Sequence, residues 1–247
     1  MDRNAPLFEL FWHNSKLNAH TSMQLERRIA VDAAALHAPA WRAQPDFDIR
    51  LAEASDDHLN RRWPRESVRR FGAEPLERTD LPALFEGLRS LAPTHRVLAS
   101  GGGKYPVDVF AIAFDVVGEA EGCVLGYHPE AHALGRVGRA PAWKDCAGML
   151  GQGIEGRPAL ALVLALASER STAKYGERGG RFGLIEAGMH AQNLLLSMAQ
   201  AGMVGLPYAA YHDDTVRRWV MPDDADGRIA LVLLCGWPEA GRQAVAL

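Results

Sequence analysis

Three apolar runs of strand length restrict the fold of this chain more than any other feature of its sequence. They read VDVFAIAF at 107–114, ALALVLALA at 159–167 and IALVLLC at 229–235. Short runs that are apolar almost throughout are typical of strands buried on both faces. Residues 183–201 predict a long helix, because their apolar side chains recur close to every 3.6 residues. Strands and helices in this order indicate an α+β or α/β sandwich.

A hairpin and several helices complete the predicted secondary structure. Residues 122–128 can form a strand that pairs with the first apolar run across the turn at 118–121. Asp80 can cap a helix that ends at Pro93. Three further helices are predicted: within residues 1–45, over 142–151, and from Asp213, as its cap, through Trp219.

The 247 residues suit one large domain or two small ones. We expect a helical N-terminal extension over residues 1–60 and the main domain over residues 61–240. The polar stretch 46–64, broken by prolines, is predicted to connect them. The hydrophobic fraction of 48% and the charged fraction of 23% are those of an ordinary soluble globular protein.

Charge and cysteine usage argue against several classes of protein. The formal net charge of −3 argues against nucleic acid as the main partner, because phosphate binding needs a basic surface. The longest apolar run is too short to span a bilayer, so no membrane association is expected. Three widely spaced cysteines and an N-terminus without a signal sequence predict a cytoplasmic protein with reduced thiols and no zinc site.

Two clusters in the first half of the main domain could bind an anionic or planar ligand. Arg65, Ser67 and Arg69 can hold a phosphate or the polar edge of a flavin ring through charge-assisted hydrogen bonds. A solvated basic turn has the same pattern. The second cluster, SGGGKYP at 100–106, precedes a strand, and its glycines allow the backbone to approach a ligand closely. A tight turn would use these glycines equally well.

The third cluster begins with Lys174 and Tyr175, in the stretch KYGERGGRF that leads into the long helix. We predict a glycine-rich loop with two proton carriers. In a desolvated pocket beside other cations, Lys174 could serve as a base. An ordinary surface loop is the alternative. The helix then carries Glu186, Gln192 and Asn193, which suit either a cofactor contact or a contact between helices.

The fourth cluster reads PYAAYHDD at 207–214. Its small residues Ala209 and Ala210 suit a backbone that passes close to a planar ligand. His212 has no partner at metal-ligand spacing, so we expect a local hydrogen bond there and no metal site.

Taken in order, these clusters resemble the nitroreductase-like flavoprotein superfamily and, within it, the azoline dehydrogenases of the SagB/McbC type. RESVRRF is similar to the superfamily's Arg-x-Ser-x-Arg flavin-binding start, and SGGGKYP to the subfamily's Ser-Gly-Gly-x-x-Tyr-Pro segment. KYGERGGRFGLIEAGMHAQN resembles its Lys-Tyr-x-x-Arg-Gly-x-Arg run and the Glu-x-Gly-x-x-x-Gln-Asn helix that follows. The resemblance covers residues 8–238. Gly180 departs from it, because the family commonly has an aromatic residue there.

The resemblance implies an α+β, nitroreductase-like mixed sheet flanked by helices, in an intertwined homodimer with FMN at the subunit interface. It implies oxidation of thiazoline or oxazoline rings to thiazoles or oxazoles in a ribosomally made precursor peptide, in a complex with a cyclodehydratase. The cofactor-binding residues it implies come from all four clusters: Arg65, Ser67, Arg69, Ser100, Gly101, Gly102, Gln192, Asn193, Ala209 and Ala210.

Oxidation of such a ring removes a proton from one carbon and a hydride from its neighbour. The flavin would take the hydride and the protein would supply the base. We predict that Lys174 and Tyr175 act as a coupled pair, and either could carry the proton. Two alternatives stay open. One is an NAD(P)H-dependent flavin reductase of small molecules or dehydroamino acids, and the other is a non-catalytic subunit of a peptide-modifying complex.

Overall fold

The structure is a computed structural model that describes residues 3–33, 66–92, 95–118, 120–150 and 153–239. Within this part of the chain, eight strands form two sheets. The strands are β1 (Ser90–Ala92), β2 (His95–Arg96), β3 (Val107–Ala113), β4 (Cys123–His128), β5 (Ala133–Arg139), β6 (Leu160–Leu166), β7 (Val204–Tyr208) and β8 (Arg228–Gly236).

The three apolar runs lie side by side in the middle of a six-stranded sheet, whose order is β5-β4-β3-β6-β8-β7. Strand β3 pairs antiparallel with β6 along its whole length, from Val107↔Leu166 to Ala113↔Leu160, and β6 pairs antiparallel with β8. Every residue of β6 is buried, as its uninterrupted apolar run predicts. The hairpin between β3 and β4 is also confirmed.

Helices cover both faces of this sheet. The helices in the described part of the chain are α1 (Pro6–Ser15), α2 (Ala19–Ala33), α3 (Leu81–Phe85), α4 (Trp143–Leu150), α5 (Glu169–Tyr175), α6 (Glu177–Gln200) and α7 (Asp213–Val220). Buried side chains of α1, α3 and α6 pack on one face, and those of α4 and α7 pack on the other. The predicted α+β class is therefore confirmed. The named strands all pair antiparallel, and parallel pairing among the described residues occurs only at isolated bridges such as Ser67↔Gly205.

The prediction of a glycine-rich loop after Lys174 and Tyr175 is wrong. These two residues end α5, and Gly176 alone separates them from α6. The long helix thus begins at Glu177, six residues earlier than predicted.

Close packing explains why glycines lie inside this helix. A Cβ at Gly179 would lie 2.6 Å from the backbone of Ser171 in α5, and a Cβ at Gly180 would clash with the ring of Phe8 in α1. The glycines let α5 and α1 approach the first turns of α6, and they do not make a flexible loop.

The N-terminal helix α1 is tied to the main domain at two places, and the chain just after it at a third. The carboxylate of Glu177 accepts hydrogen bonds from the backbone N–H groups of Leu7 and Phe8, each at 2.9 Å. A buried ion pair joins Glu9 of α1 to Arg228 at the start of β8. The predicted cap of α7 is wrong: Asp213 is the first residue of that helix, and its carboxylate accepts the N–H of Leu17 at 2.8 Å.

Other differences from the prediction lie at the borders of elements. The helix predicted after Asp80 begins and ends in 3-10 turns, at Arg78–Asp80 and Glu86–Leu88, and it stops before Pro93. Strands β1, β2, β5 and β7 were not predicted. The helical prediction for residues 1–45 is confirmed over α1 and α2, and residues 34–65, with the predicted connecting segment, lie outside the described residues. None of the described helices has the length and apolar character that crossing a membrane requires.

Candidate active site at the start of helix α6

The second and third sequence clusters meet at the N-terminal end of α6. A Cβ at Gly102 would clash with Tyr175 Oη and would lie 3.0 Å from Lys174 Nζ. Gly102 has a φ of 64°, a conformation that glycine adopts without steric cost. The backbone of the glycine turn therefore lies directly against both proton carriers, and a side chain at this position would displace one of them.

Aromatic packing orients the Lys-Tyr pair. The rings of Tyr175 and Phe182 meet edge to face, with centroids 5.2 Å apart and planes at 79°. Lys174 Nζ lies 5.1 Å from the centroid of the Tyr175 ring. Tyr175 is half-buried and Lys174 is exposed. One protomer therefore does not provide the desolvated pocket expected for Lys174, so a ligand or a second protomer would have to provide it.

A buried carboxylate holds the glycine turn on α6. The N–H of Tyr105 donates to Ser100 Oγ at 2.7 Å, and Ser100 and the Gly101 backbone hydrogen-bond to Glu186. Glu186 is only 3% exposed, and its Oε1 has no hydrogen-bond partner among the described residues. Burial raises the pKa of Glu186, whereas these hydrogen bonds and the charge of Arg96 lower it in part.

An arginine of α5 holds the other end of the same turn. Arg170 donates to the carbonyl of Tyr105 at 3.0 Å and to both carboxylate oxygens of Asp108 at 2.8 and 2.7 Å. Such bidentate pairs fix geometry as well as adding energy. Because α5 also carries Lys174, the turn and the Lys-Tyr pair are positioned by the same helix.

The first cluster lies elsewhere in the protomer. Ser67 forms a bridge to Gly205 of β7, and a Cβ at Gly205 would lie 2.5 Å from Met198 Sδ near the C-terminal end of α6. From Phe182 to Met198 the helix rises by on the order of 24 Å. Ser67 and Arg69 are exposed, and Arg65 lies outside the described residues. One protomer thus does not bring this cluster next to the Lys-Tyr pair.

The remaining predicted cofactor residues are also dispersed. Gln192 is exposed on α6, about 15 Å along the helix from Phe182. Asn193 packs against the turn after α3, where a Cβ at Gly87 would clash with its Oδ1, and that oxygen has no hydrogen-bond partner in the described part of the chain. Ala209 and Ala210 follow β7 and are exposed.

Two polar residues of α6, Glu186 and His190, are buried. The sequence indicated Glu186 as a candidate for a cofactor contact or a contact between helices, and it gave no role to His190. His190 Nδ1 lies 2.9 Å from the carbonyl of Glu186 and donates to it, and burial lowers the pKa of His190. The signal was present in the sequence, because both residues fall at the core-facing spacing of Ala187, Ala191 and Leu194. Polar residues at such spacing indicate a buried hydrogen-bond network.

Comparison with known proteins supports a family assignment. The sequence model described as "Nitroreductase family" matches residues 64–237. A "Putative nitroreductase" of Methanocaldococcus jannaschii is 30% identical over 156 residues, which are 62% of this chain and 78% of that protein. The microcin B17-processing protein McbC of Escherichia coli is 32% identical over 128 residues, 50% of this chain and 47% of McbC.

Solved structures share the fold. A chain of the E. coli microcin synthetase McbBCD complex with truncated pro-MccB17 bound superposes with a TM-score of 0.68 at 22% identity, over 90% of this chain and 95% of that one. A "putative nitroreductase" from Ralstonia eutropha JMP134 gives a TM-score of 0.62 at 21% identity, over 81% and 89% of the two chains. The family that the sequence motifs indicated is thereby confirmed: the chain belongs to the nitroreductase family.

Proposed function

We propose that this protein is an FMN-dependent dehydrogenase that oxidises thiazoline or oxazoline rings of a ribosomally made peptide to thiazoles or oxazoles. One observation carries the proposal: the backbone of Gly102 lies directly against Lys174 Nζ and Tyr175 Oη. An exposed glycine turn and two candidate bases therefore belong to one site. The sequence similarity to McbC, a microcin B17-processing protein, supports the choice of a peptide substrate.

The residues present fit an FMN group. Gly101, Gly102 and Gly103 are exposed, so a planar ring could approach the backbone of this turn on the side that Tyr175 and Lys174 leave open. The exposed Ser67 and Arg69 carry a hydroxyl and a guanidinium group, which suit the phosphate or the polar edge of the ring. FMN, when bound, supplies the hydride acceptor that ring oxidation needs. These residues would hold and orient it.

The Lys-Tyr pair would remove the proton. A phenolate or an amine is a stronger base than a carboxylate towards a weakly acidic proton on carbon, and both Tyr175 Oη and Lys174 Nζ lie beside Gly102. Lys174 Nζ lies 5.1 Å from the centroid of the Tyr175 ring, so the proposal assigns the proton to the pair and not to one residue.

The proposed enzyme is a homodimer whose sites are shared between protomers. Within one protomer, Ser67 and the Lys-Tyr pair lie near opposite ends of α6. A two-fold axis that pairs antiparallel α6 helices would bring one protomer's start of α6 beside the partner's end. Ile185 and Met189 of α6 are large exposed apolar residues that such a contact would cover.

The first test is the visible absorption spectrum of the purified protein, which should be that of FMN. The protein should then oxidise an azoline-containing peptide with O2 as the final electron acceptor. Changing Lys174 and Tyr175 together to Ala should reduce turnover by roughly 10²-fold or more, with FMN occupancy unchanged. Changing the exposed Lys144 to Ala is the matched control. Full turnover by a double variant that retains FMN would refute the role of the pair.

The same measurements separate the alternatives. Rapid bleaching of the flavin by NAD(P)H, with no turnover of the peptide, would indicate a small-molecule reductase. A colourless protein that cannot be reconstituted with FMN would indicate a non-catalytic subunit. For the dehydrogenase, a cyclodehydratase must first make the azoline, so we propose it as the partner enzyme.

A further inference from the structure

The ring of Phe182 contacts three parts of the proposed active site. A Cβ at Gly101 would lie 3.4 Å from Cδ2 of Phe182, so the ring packs on the backbone of the glycine turn. The edge-to-face contact with Tyr175 joins the same ring to the proposed base. The guanidinium carbon of Arg178, one helical turn earlier in α6, lies over the ring at 5.8 Å from its centroid. The proposed chemistry assigns no role to Phe182 or Arg178.

The glycine turn and the two rings form a closed set of contacts. Gly101 packs on the Phe182 ring, and Gly102, the next residue, lies against Tyr175 Oη. The two rings in turn meet each other, with centroids 5.2 Å apart. Each of the three members therefore contacts the other two. Removal of the Phe182 ring would leave space beside the phenol, because the surroundings of a deleted side chain close up only in part.

The backbone supports Tyr175 on one side only. Tyr175 is the last residue of α5, and Gly176, which follows it, has a φ of 56° and a ψ of −139°, far from helical values. The Tyr175 side chain is half-buried, so solvent borders part of it. The position of its hydroxyl group therefore depends on its packing against Phe182 and the glycine turn.

Arg178 holds the Phe182 ring from the solvent side. Its guanidinium group lies within the distance of about 6 Å at which a cation is attracted to the face of an aromatic ring. Arg178 is exposed and Phe182 is half-buried, so the guanidinium group covers the ring on its outer side. The carboxylate of the neighbouring Glu177 is turned towards α1, whose first N–H groups it accepts.

We propose that Phe182 and Arg178 are positioning residues: Phe182 keeps Tyr175 Oη against Gly102, and Arg178 keeps the Phe182 ring in place. This rests on the proposed function, because Tyr175 belongs to the base of the proposed reaction. Neither positioning residue transfers a proton. A base that is displaced by about 1 Å reacts far more slowly, although the substrate still binds. Loss of either contact should therefore lower kcat and leave KM unchanged.

The freedom of Tyr175 can be measured without substrate or turnover. Growth on 3-fluorotyrosine labels all five tyrosines with fluorine, and the Tyr175→Phe variant identifies the 19F signal of Tyr175. This signal should be sharp in the wild-type protein. Phe182→Leu should broaden it, because the phenol then exchanges between positions, whereas loss of the ring's magnetic effect alone would only move it. A Tyr175 signal that stays sharp in Phe182→Leu overturns the proposal.

A second aromatic pair provides the matched control for Phe182. Phe114 meets Trp143 edge to face at the same centroid distance, 5.2 Å, on the opposite face of the sheet. Phe114→Leu should therefore remove a comparable contact and leave the Tyr175 signal sharp. Equal broadening in Phe114→Leu and Phe182→Leu would show a general loss of packing and overturns the proposal.

A second arginine of α6 provides the control for Arg178. Arg178→Gln should broaden the Tyr175 signal, but less than Phe182→Leu does, because it removes one neighbour of the ring and not the ring itself. Arg181→Gln removes the same charge at another exposed position of the helix and should have no effect. Equal effects of the two arginine variants overturn the role of Arg178.

Turnover of an azoline peptide tests the consequence for the reaction, with FMN occupancy checked in each variant. Phe182→Leu should lower kcat about tenfold with KM unchanged, and Phe182→Tyr, which keeps a ring, should restore most of the rate. Arg178→Gln should lower kcat about threefold, and Arg178→Lys, which keeps a cation, should recover it. A raised KM with unchanged kcat would show that Phe182 binds the substrate, which overturns the positioning role.

The two kinds of measurement separate this inference from the proposed function. If the wild-type protein oxidises the azoline ring and Phe182→Leu keeps full kcat, the inference fails and the function stands. If the wild-type protein oxidises no azoline, the function fails, and the 19F signals still decide whether Phe182 and Arg178 position Tyr175.

Discussion

Gly102 sets how closely the glycine turn approaches the Lys-Tyr pair. Changing Gly102 to Ala should displace Tyr175 Oη and strongly reduce turnover, because the new Cβ would clash with that atom. Gly103 is the matched control, since it also has a positive φ, 65°, but a Cβ there would meet nothing within 4 Å. Both variants should lose about 1 kcal/mol of stability from backbone strain. Thermal unfolding and turnover, measured for both glycine variants, separate the effect of backbone strain from the effect of the clash with Tyr175. Equal activity of the two variants would contradict the prediction.

Glu186 should make the stability of the fold depend on pH. Burial raises its pKa above the ordinary 4.5, so the folded state holds the proton more tightly than the unfolded chain. The free energy of unfolding should therefore fall as pH rises from about 4.5 through the raised pKa. Glu186→Gln should lack this fall, and Glu74→Gln, at an exposed site, should retain it. Urea unfolding across pH 4.5–8 measures the difference, and parallel curves for wild type and Glu186→Gln would count against it.

At the scale of the element, α1 places an aromatic ring against a glycine of the long helix. Phe8 packs on Gly180, and Glu177 accepts the first N–H groups of α1. Gly180→Ala should displace α1 and cost about 1–3 kcal/mol by overpacking. Gly148→Ala in α4, where a Cβ meets nothing, should instead add up to about 1 kcal/mol. Hydrogen exchange of the α1 amides measures whether the helix stays docked, and urea unfolding measures the free energy of unfolding of both variants. A stabilised Gly180→Ala variant would refute this account of α1 docking.

Helices and strands could be predicted where the apolar pattern of the sequence agrees with the way the element packs in the fold. The three apolar runs became adjacent strands, because only a buried sheet accommodates side chains that are apolar on both faces. The glycines after Tyr175 were interpreted as a loop, because their contacts form only in the fold: Ser171 meets Gly179 when α5 packs on α6, and Phe8 is distant in the chain from Gly180. Strand β5 carries glycines and arginines, which edge strands tolerate and which hide the strand pattern.

The whole molecule presents an apolar surface along α6 that one protomer leaves uncovered. Ile185 is 56% exposed and Met189 is 37% exposed. Ile185→Asp should convert the proposed dimer to monomers and reduce FMN occupancy with it, because a charge in a buried contact is costly. Leu91→Asp, at an exposed residue of β1, is the control. Light scattering and flavin absorbance measure both effects. A monomeric wild type, or a dimeric Ile185→Asp variant, would contradict the assembly.

The sequence indicated two segments of the candidate site that meet in the fold, but it did not indicate where the other predicted site residues lie. The Ser100 to Gly102 turn and the Lys-Tyr pair are some seventy residues apart in the chain and are in contact in the fold. Order and spacing of motifs predicted that both belong to one site. The order and spacing of the motifs did not indicate that Ser67 would lie near the C-terminal end of α6. The distance between Ser67 and the Lys-Tyr pair depends on how β7, which Ser67 contacts, packs beside that helix.

The separation of Ser67 and Lys174 along α6 has a genetic consequence. In a two-fold dimer with shared sites, each site takes its Lys-Tyr pair from one chain and its Arg-Ser segment from the other. A chain inactivated at Lys174 and a chain inactivated at Ser67 and Arg69 would each be dead alone. When the two chains are coexpressed, about half of the dimers would be heterodimers, and one of the two sites in each heterodimer would have both its Lys-Tyr pair and its Arg-Ser segment intact. Roughly a quarter of all sites would therefore be active. Two null alleles of this one gene should therefore complement each other.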